Sequence, residues 1–147
     1  MEDLIANFTD LLKKGARFVA SSTEEDLKFK PSSEVWSKKE IIGHLIDSGI
    51  ANLQRFTEIQ FENRPYKIRG YNQNELVKSN SYNEADPLEL LGLWLSINER
   101  IIQVVKVQNE STLSYQIELG NGEISDFKFL IKDYVVHLEH HLNQIMN

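Results

Sequence analysis

The sequence predicts an all-α protein: a four-helix bundle with a long crossover connection between its second and third helices. Two observations carry this. Four stretches repeat apolar residues at helical spacing, starting near positions 1, 37, 86 and 125. Between the second and third of them, residues 62–86 lose all periodicity and collect Pro65, Gly70 and several asparagines. A connection of that length is unusual between adjacent helices of a compact bundle, so it either crosses the bundle or covers one end as a lid.

The first helix is marked by Leu4, Ile5, Phe8, Leu11, Leu12, Phe18 and Val19 and runs to about position 20. The polar segment after it, with Pro31, Ser32 and Ser33, reads as a loop. Ser37 and Glu40 have capping-box spacing, and Trp36 before them is placed to staple onto Ile41. The second helix then carries Ile41, Ile42, Leu45, Ile46, Leu53, Phe56 and Ile59 to about Phe61. Within the long connection, residues 72–78 have the pattern of a short helix.

Asp86, Pro87 and Glu89 supply an N-cap, a first-turn proline and a capping-box partner for the third helix. Its apolar face is Leu90, Leu91, Trp94, Ile97, Ile101, Ile102 and Val105. Tyr115, Ile117 and Leu119 alternate ahead of Gly120, Asn121 and Gly122, a hairpin-like excursion. Ser125 is expected to cap the fourth helix, which continues through Phe129, Leu130, Ile131, Tyr134, Val135, Leu138, Leu142 and Ile145. Trp94 and Tyr134 are expected in the core. At 147 residues the chain reads as one domain, residues 1–147.

Composition narrows the chemistry. There is no cysteine, which excludes disulfides, thiolate metal sites and a cysteine nucleophile. The net charge is −6 and the basic residues are scattered, Lys13, Lys14, Lys38, Lys39, Lys128 and Lys132 among them, which argues against nucleic-acid binding. The first residues lack a basic head and an apolar run, and no stretch is apolar enough to cross a bilayer, so a cytoplasmic location is expected.

Three of the four histidines, His137, His140 and His141, lie in the last helix, and the fourth is His44. At about 100° per residue, His141 and His137 fall about 60° and 100° from the apolar stripe of that helix, while His140 falls nearly opposite it. His140 is therefore expected to be exposed, or in a subunit contact with Val136. His137 and His141, one turn apart with Cβ atoms about 5–6 Å from each other, have the spacing of two imidazoles sharing an ion at about 2.0–2.1 Å. His44 occupies the matching shoulder of the second helix. Three neutral imidazoles leave a divalent ion its full charge and at least one open position. Asp47 and Asp133 are candidate acceptors that would orient the rings. Ser48, Asn52, Arg55, Asn98 and Gln144 are candidate pocket residues, with Arg55 suited to a substrate carboxylate.

The segments WSKKEIIGHLIDSGIANLQRF and DYVVHLEHHLNQI, together with LWLSINERI, resemble the DinB-like family of metal-binding helical bundles over almost the whole chain. The resemblance implies an unusual crossover order of helices, a divalent metal on three histidines, and frequent homodimers. It places the ligands at His44, His137 and His141, the three that helical phase selects. It also implies a small-molecule substrate and either hydrolysis or chemistry on a low-molecular-weight thiol, by a transferase or isomerase. Zinc or nickel suits three imidazoles, with iron or manganese as alternatives. The competing expectations are a noncatalytic, metal-stabilised binding or stress-response module and a purely structural bundle.

Overall fold

The computed structural model describes all residues, 1–147. Four long helices dominate it: α1 (Glu2–Ser21), α3 (Lys38–Glu58), α5 (Pro87–Lys106) and α7 (Phe127–Met146). Shorter helices α2 (Glu24–Lys28), α4 (Gln73–Ser79) and α6 (Glu110–Leu113), with a 3₁₀ turn at Tyr82–Glu84, lie between them. The 3 prolines stay out of the helix interiors, with Pro87 at the start of α5, while Gly15, Gly43 and Gly49 lie buried in α1 and α3 where a Cβ would meet Trp94, Tyr82 and Ile97.

Helices adjacent in sequence are not always adjacent in space. α1 packs on α5 and α7, and α3 packs on the same two, which places α1 diagonally across from α3. Near its start, α3 meets the residues that lead into α5, as Lys39 bonds the carbonyl of Ala85, and further along Gly49 faces Ile97. The two helices are thus parallel, and the connection over residues 59–86 must travel the length of the bundle to make them so. α3 and α7 are antiparallel, since Phe56 stacks edge-on with Phe127 and His44 with His141. This is the long crossover expected from the aperiodic stretch. Phe8, Phe56, Trp94, Phe127, Ile131 and Leu138, all at most 2% exposed, fill the space between the four helices.

Several local details differ from expectation. The segment after α1 contains α2, capped by the Thr23 hydroxyl, which accepts from the Asp26 amide at 3.1 Å. α3 ends at Glu58, because the amides of Gln60 and Phe61 bond three residues back and tighten into a turn. Asp86 caps α5 by accepting from Leu88, with no return bond from Glu89. Asp126, not Ser125, caps α7, accepting from Phe129 at 2.8 Å, because Ser125 is committed to a strand opposite Ile117. That hairpin, β2 (Gln116–Glu118) with β3 (Ile124–Asp126), turns through Gly122 at φ +87, a conformation that favours glycine. It is joined by an unforeseen strand, β1 (Tyr66–Lys67), parallel to β2. This small sheet lies where α3 ends and α7 begins, so the opposite end of that helix pair is left for the histidines. No helix is long and apolar enough to cross a membrane.

Candidate metal centre

The start of α3 is fixed before His44 is reached. The Ser37 hydroxyl accepts from the Glu40 amide at 3.1 Å, and the Glu40 carboxylate accepts from the Ser37 amide at 3.0 Å and from Lys30 at 2.6 Å. Two aromatic walls then enclose the second turn. The Trp36 ring lies 5.1 Å from the His44 ring, centre to centre. The Tyr82 ring packs so closely on Gly43 that a Cβ there would come within 2.1 Å of it. His44 is consequently only 1% exposed.

α7 brings His137 and His141 to face it. The three ring centres are separated by 5.1 Å (His44 to His137), 4.8 Å (His44 to His141) and 4.6 Å (His137 to His141). One ring nitrogen from each lies within 4.8 Å of the others. Nε2 of His44 and Nε2 of His137 are 3.2 Å apart. Nδ1 of His141 meets the Gln144 side-chain oxygen at 2.8 Å, and an amide oxygen can only accept, so Nδ1 carries the proton and Nε2 its lone pair.

The electrostatics favour neutral rings. Burial, followed by the nearby positive charge that His141 and His137 would carry, pushes His44 down to about 4. Burial also lowers His137 and His141, reinforced by His141 and His140 for the first and by His140 for the second. The Asp133 charge opposes this at His137, and the Gln144 bond opposes it at His141. At neutral pH all three rings therefore offer lone pairs, the form a metal requires. Nδ1 of His44 is buried with no hydrogen-bond partner.

The remaining sequence-predicted residues divide sharply. Asp47 does not orient His44: its Oδ1 accepts from the Tyr82 hydroxyl at 2.6 Å and, more weakly, from Asn80. Asp133, one turn before His137, is exposed and acts on it only through its charge, with no hydrogen bond between them. The orienting partner is Gln144, expected as a pocket residue. Asn98, 0% exposed, is a core residue, not a pocket one: it donates to the Trp94 carbonyl at 2.8 Å and accepts from the Tyr134 hydroxyl at 2.6 Å.

Ser48 and Asn52 form a buried polar row on α3, with Asn52 donating to the Ser48 carbonyl at 2.8 Å. Arg55 continues that row into the last turn of α3, about 16 Å along the helix from His44, and lines a separate cavity. His140 is exposed, with its ring 5.0 Å from that of His141, and Val136 is exposed as well. Trp36, expected as a staple onto Ile41, is also a wall of the site. Tyr82, the other wall, stands in the aperiodic segment with no sequence pattern to mark it.

The family model of the DinB superfamily matches residues 8–145. The chain belongs to the DinB superfamily. Among solved structures, the fold of this DinB protein is similar to that of YfiT from Bacillus subtilis, a probable metal-dependent hydrolase with an unusual four-helix bundle topology. The TM-score is 0.87 at 21% identity, over 99% of this chain and 83% of YfiT. It is also similar to the mycothiol-dependent maleylpyruvate isomerase, with a TM-score of 0.72 at 15% identity over 96% of this chain. The DinB chain spans 58% of the length of that isomerase. At these identities the likeness concerns the fold. No curated protein matches the sequence.

Proposed function

We propose that this DinB protein is a metal-dependent enzyme that holds a divalent ion on His44, His137 and His141 and acts on a small electrophilic substrate. The observation that carries the reading is the mutual arrangement of the three imidazoles. Two ligand atoms each about 2.0–2.1 Å from a tetrahedral ion stand about 3.3 Å apart. The His44 and His137 Nε2 atoms are separated by 3.2 Å, both on neutral rings, and the third ring is oriented by Gln144 to present Nε2. Three imidazoles suit zinc or nickel, with iron or manganese as alternatives. Such an ion supplies Lewis acidity to a substrate oxygen or sulfur at its open position.

The chain's own residues supply the surroundings. Trp36 and Tyr82 enclose His44 and keep bulk water from it. Gln144 holds the tautomer of His141. Water and a low-molecular-weight thiol are the two nucleophiles this arrangement suits, giving a hydrolase or a thiol-dependent transferase or isomerase. The thiol is favoured by one observation: neither Asp47, whose Oδ1 accepts from Tyr82 and whose Oδ2 is buried without a partner, nor exposed Asp133 makes a hydrogen bond to the histidines. A thiol ionises near pH 8.5 and needs less help than water. YfiT is described as a probable hydrolase and the isomerase as mycothiol-dependent, so the neighbours include both chemistries.

The proposal extends to a cytoplasmic homodimer acting on a small molecule. The test is elemental analysis of purified protein, followed by addition of a small thiol to the cobalt-substituted form. One divalent ion per chain, lost in His137→Ala, is expected, together with a thiol-induced change in the visible spectrum. Absence of stoichiometric metal would sink the proposal. Metal without a thiol response would move it to the water-activating version.

A further inference from the structure

The C-terminal end of α3 carries a second constellation, distinct from the histidines. A cavity of about 330 Å³ is lined by Gln54, Arg55, Glu58, Tyr66, Arg69 and Tyr71 among others. Four ion pairs form in the molecule and no arginine takes part in any of them. Two guanidinium groups therefore line one small cavity with no carboxylate paired to either.

Arg55 is held in place. Its guanidinium donates to the Arg69 carbonyl and, at 3.4 Å, to the Asn52 side chain, and it lies 5.7 Å from the centre of the Tyr71 ring. Those contacts use two of its five N–H donors. The Arg69 side chain donates to nothing in the protein. The one carboxylate in the lining, Glu58, accepts from Tyr66 at 2.7 Å and from Gln54 at 2.8 Å, and feels the Arg69 charge without forming an ion pair with it. Its charge leaves the cavity with a net positive charge and a surplus of guanidinium donors. The volume lies at the lower end of the range typical of small-molecule sites.

We propose that this cavity binds a small anion, a carboxylate- or phosphate-bearing molecule held by Arg55 and Arg69. A planar guanidinium matches both groups with paired, charge-assisted hydrogen bonds. Arg55 follows His44 by 11 residues, about 16 Å along the helix, so a small anion here does not reach the histidines. The inference therefore stands independently of the metal reading. A purely structural alternative has Arg55 complementing the C-terminal dipole of α3 and pinning residues 69–71, with Arg69 idle.

The two are separated by titration calorimetry on full-length protein carrying His137→Ala and stripped with chelator, so that no metal can take the anion. Inorganic phosphate and succinate are the probes, at low salt. Saturable binding of at least one is expected, weakened about tenfold or more by Arg69→Gln and by raised salt. Arg69→Gln is the informative variant because its guanidinium makes no hydrogen bond or ion pair in the fold, and thermal unfolding should change little in it. A response to succinate alone assigns a carboxylate, to phosphate alone a phosphoryl group. No saturable binding of either, or equal binding by Arg69→Gln, would overturn the proposal whatever the metal content of the protein.

Discussion

Lys39 and His44 lie little more than one turn apart on α3, and each is 1% exposed, yet their polar atoms are treated in opposite ways. The ammonium of Lys39 meets Glu24 at 2.6 Å, the Ala85 carbonyl at 2.8 Å and the Asn83 carbonyl at 3.3 Å, so its three donors find three acceptors. His44 has one ring nitrogen with no partner and the other opposite a second imidazole nitrogen. Buried polar groups are normally satisfied, and an unsatisfied one in a native fold calls for a reason. Lys39 is satisfied by the fold and ties α2 and the residues before α5 to α3. At His44 the fold instead leaves Nε2 only 3.2 Å from Nε2 of His137, a separation that suits a shared ion, while Nδ1, like Asp47 Oδ2 and Trp94 Nε1, stays without a partner.

The contrast predicts a double dissociation, and its largest effect belongs to the histidines. His137→Ala removes one of the three proposed ligands and should lower metal affinity by more than the 10–100-fold typical of losing an outer hydrogen bond. Chelator competition measures this. Because the only side-chain hydrogen-bond contact of His137 in the metal-free fold is the one with His44 at 3.2 Å, urea unfolding of the stripped variant should fall below that of the stripped parent by no more than about 1 kcal/mol. Equal metal affinity in the two proteins would break the comparison at its functional half.

The next effect is the mirror image. Lys39→Met keeps much of the volume but leaves the Asn83 and Ala85 carbonyls without their donor, at a cost of about 2–3 kcal/mol in unfolding free energy. Glu24 is more than half exposed and is rehydrated, which keeps the loss below that of a fully buried pair. Metal affinity of this variant, measured on the folded protein, should remain within a few-fold of the parent.

Smaller again is Gln144→Ala. It removes the acceptor that holds Nδ1–H of His141, so the ring is free to change tautomer and orientation. A loss of about tenfold in metal affinity is expected, the lower limit for such partners because Gln144 is exposed and water can replace it. Asp133→Asn and Asp47→Asn, the residues first expected in this role, should each change affinity less.

The halves of this comparison were not equally legible in the sequence. Helical phase separated His137 and His141 from His140 because the angle between residues on a helix is a local property. The same arithmetic placed His44, and the bundle followed from four such local patterns. Lys39 was counted only among scattered basic residues, because its partners lie 15, 44 and 46 positions away and no spacing rule connects them. Asp47 was assigned to the wrong neighbour for the same reason: Tyr82, 35 residues on, claims it. β1 escaped notice because two residues carry no period, and its pairing with Ile117 and Glu118 is set only when the chain closes.

The smallest effect separates the two regions by pH. Burial, with the neighbouring histidines, depresses all three imidazoles below 6.5, His44 to about 4. Well above pH 6.5 the rings are neutral in both folded and unfolded chains and contribute no slope. Below it the unfolded chain takes up protons that the metal-free fold refuses, so stability falls with falling pH, by about 1 kcal/mol between pH 6.5 and 5.5 for His44, with His137 and His141 acting in the same direction. Between pH 6.5 and 5.5 this stays clear of most carboxylate titration. Metal-free protein should therefore show a declining urea midpoint across that unit. His44→Gln should flatten the decline, since one of the refused protons is no longer in play, whereas Lys39→Met should shift the whole curve down without changing its slope. Parallel curves for all three proteins would mean that the folded imidazoles titrate like free ones, and that His44 is no less satisfied than Lys39.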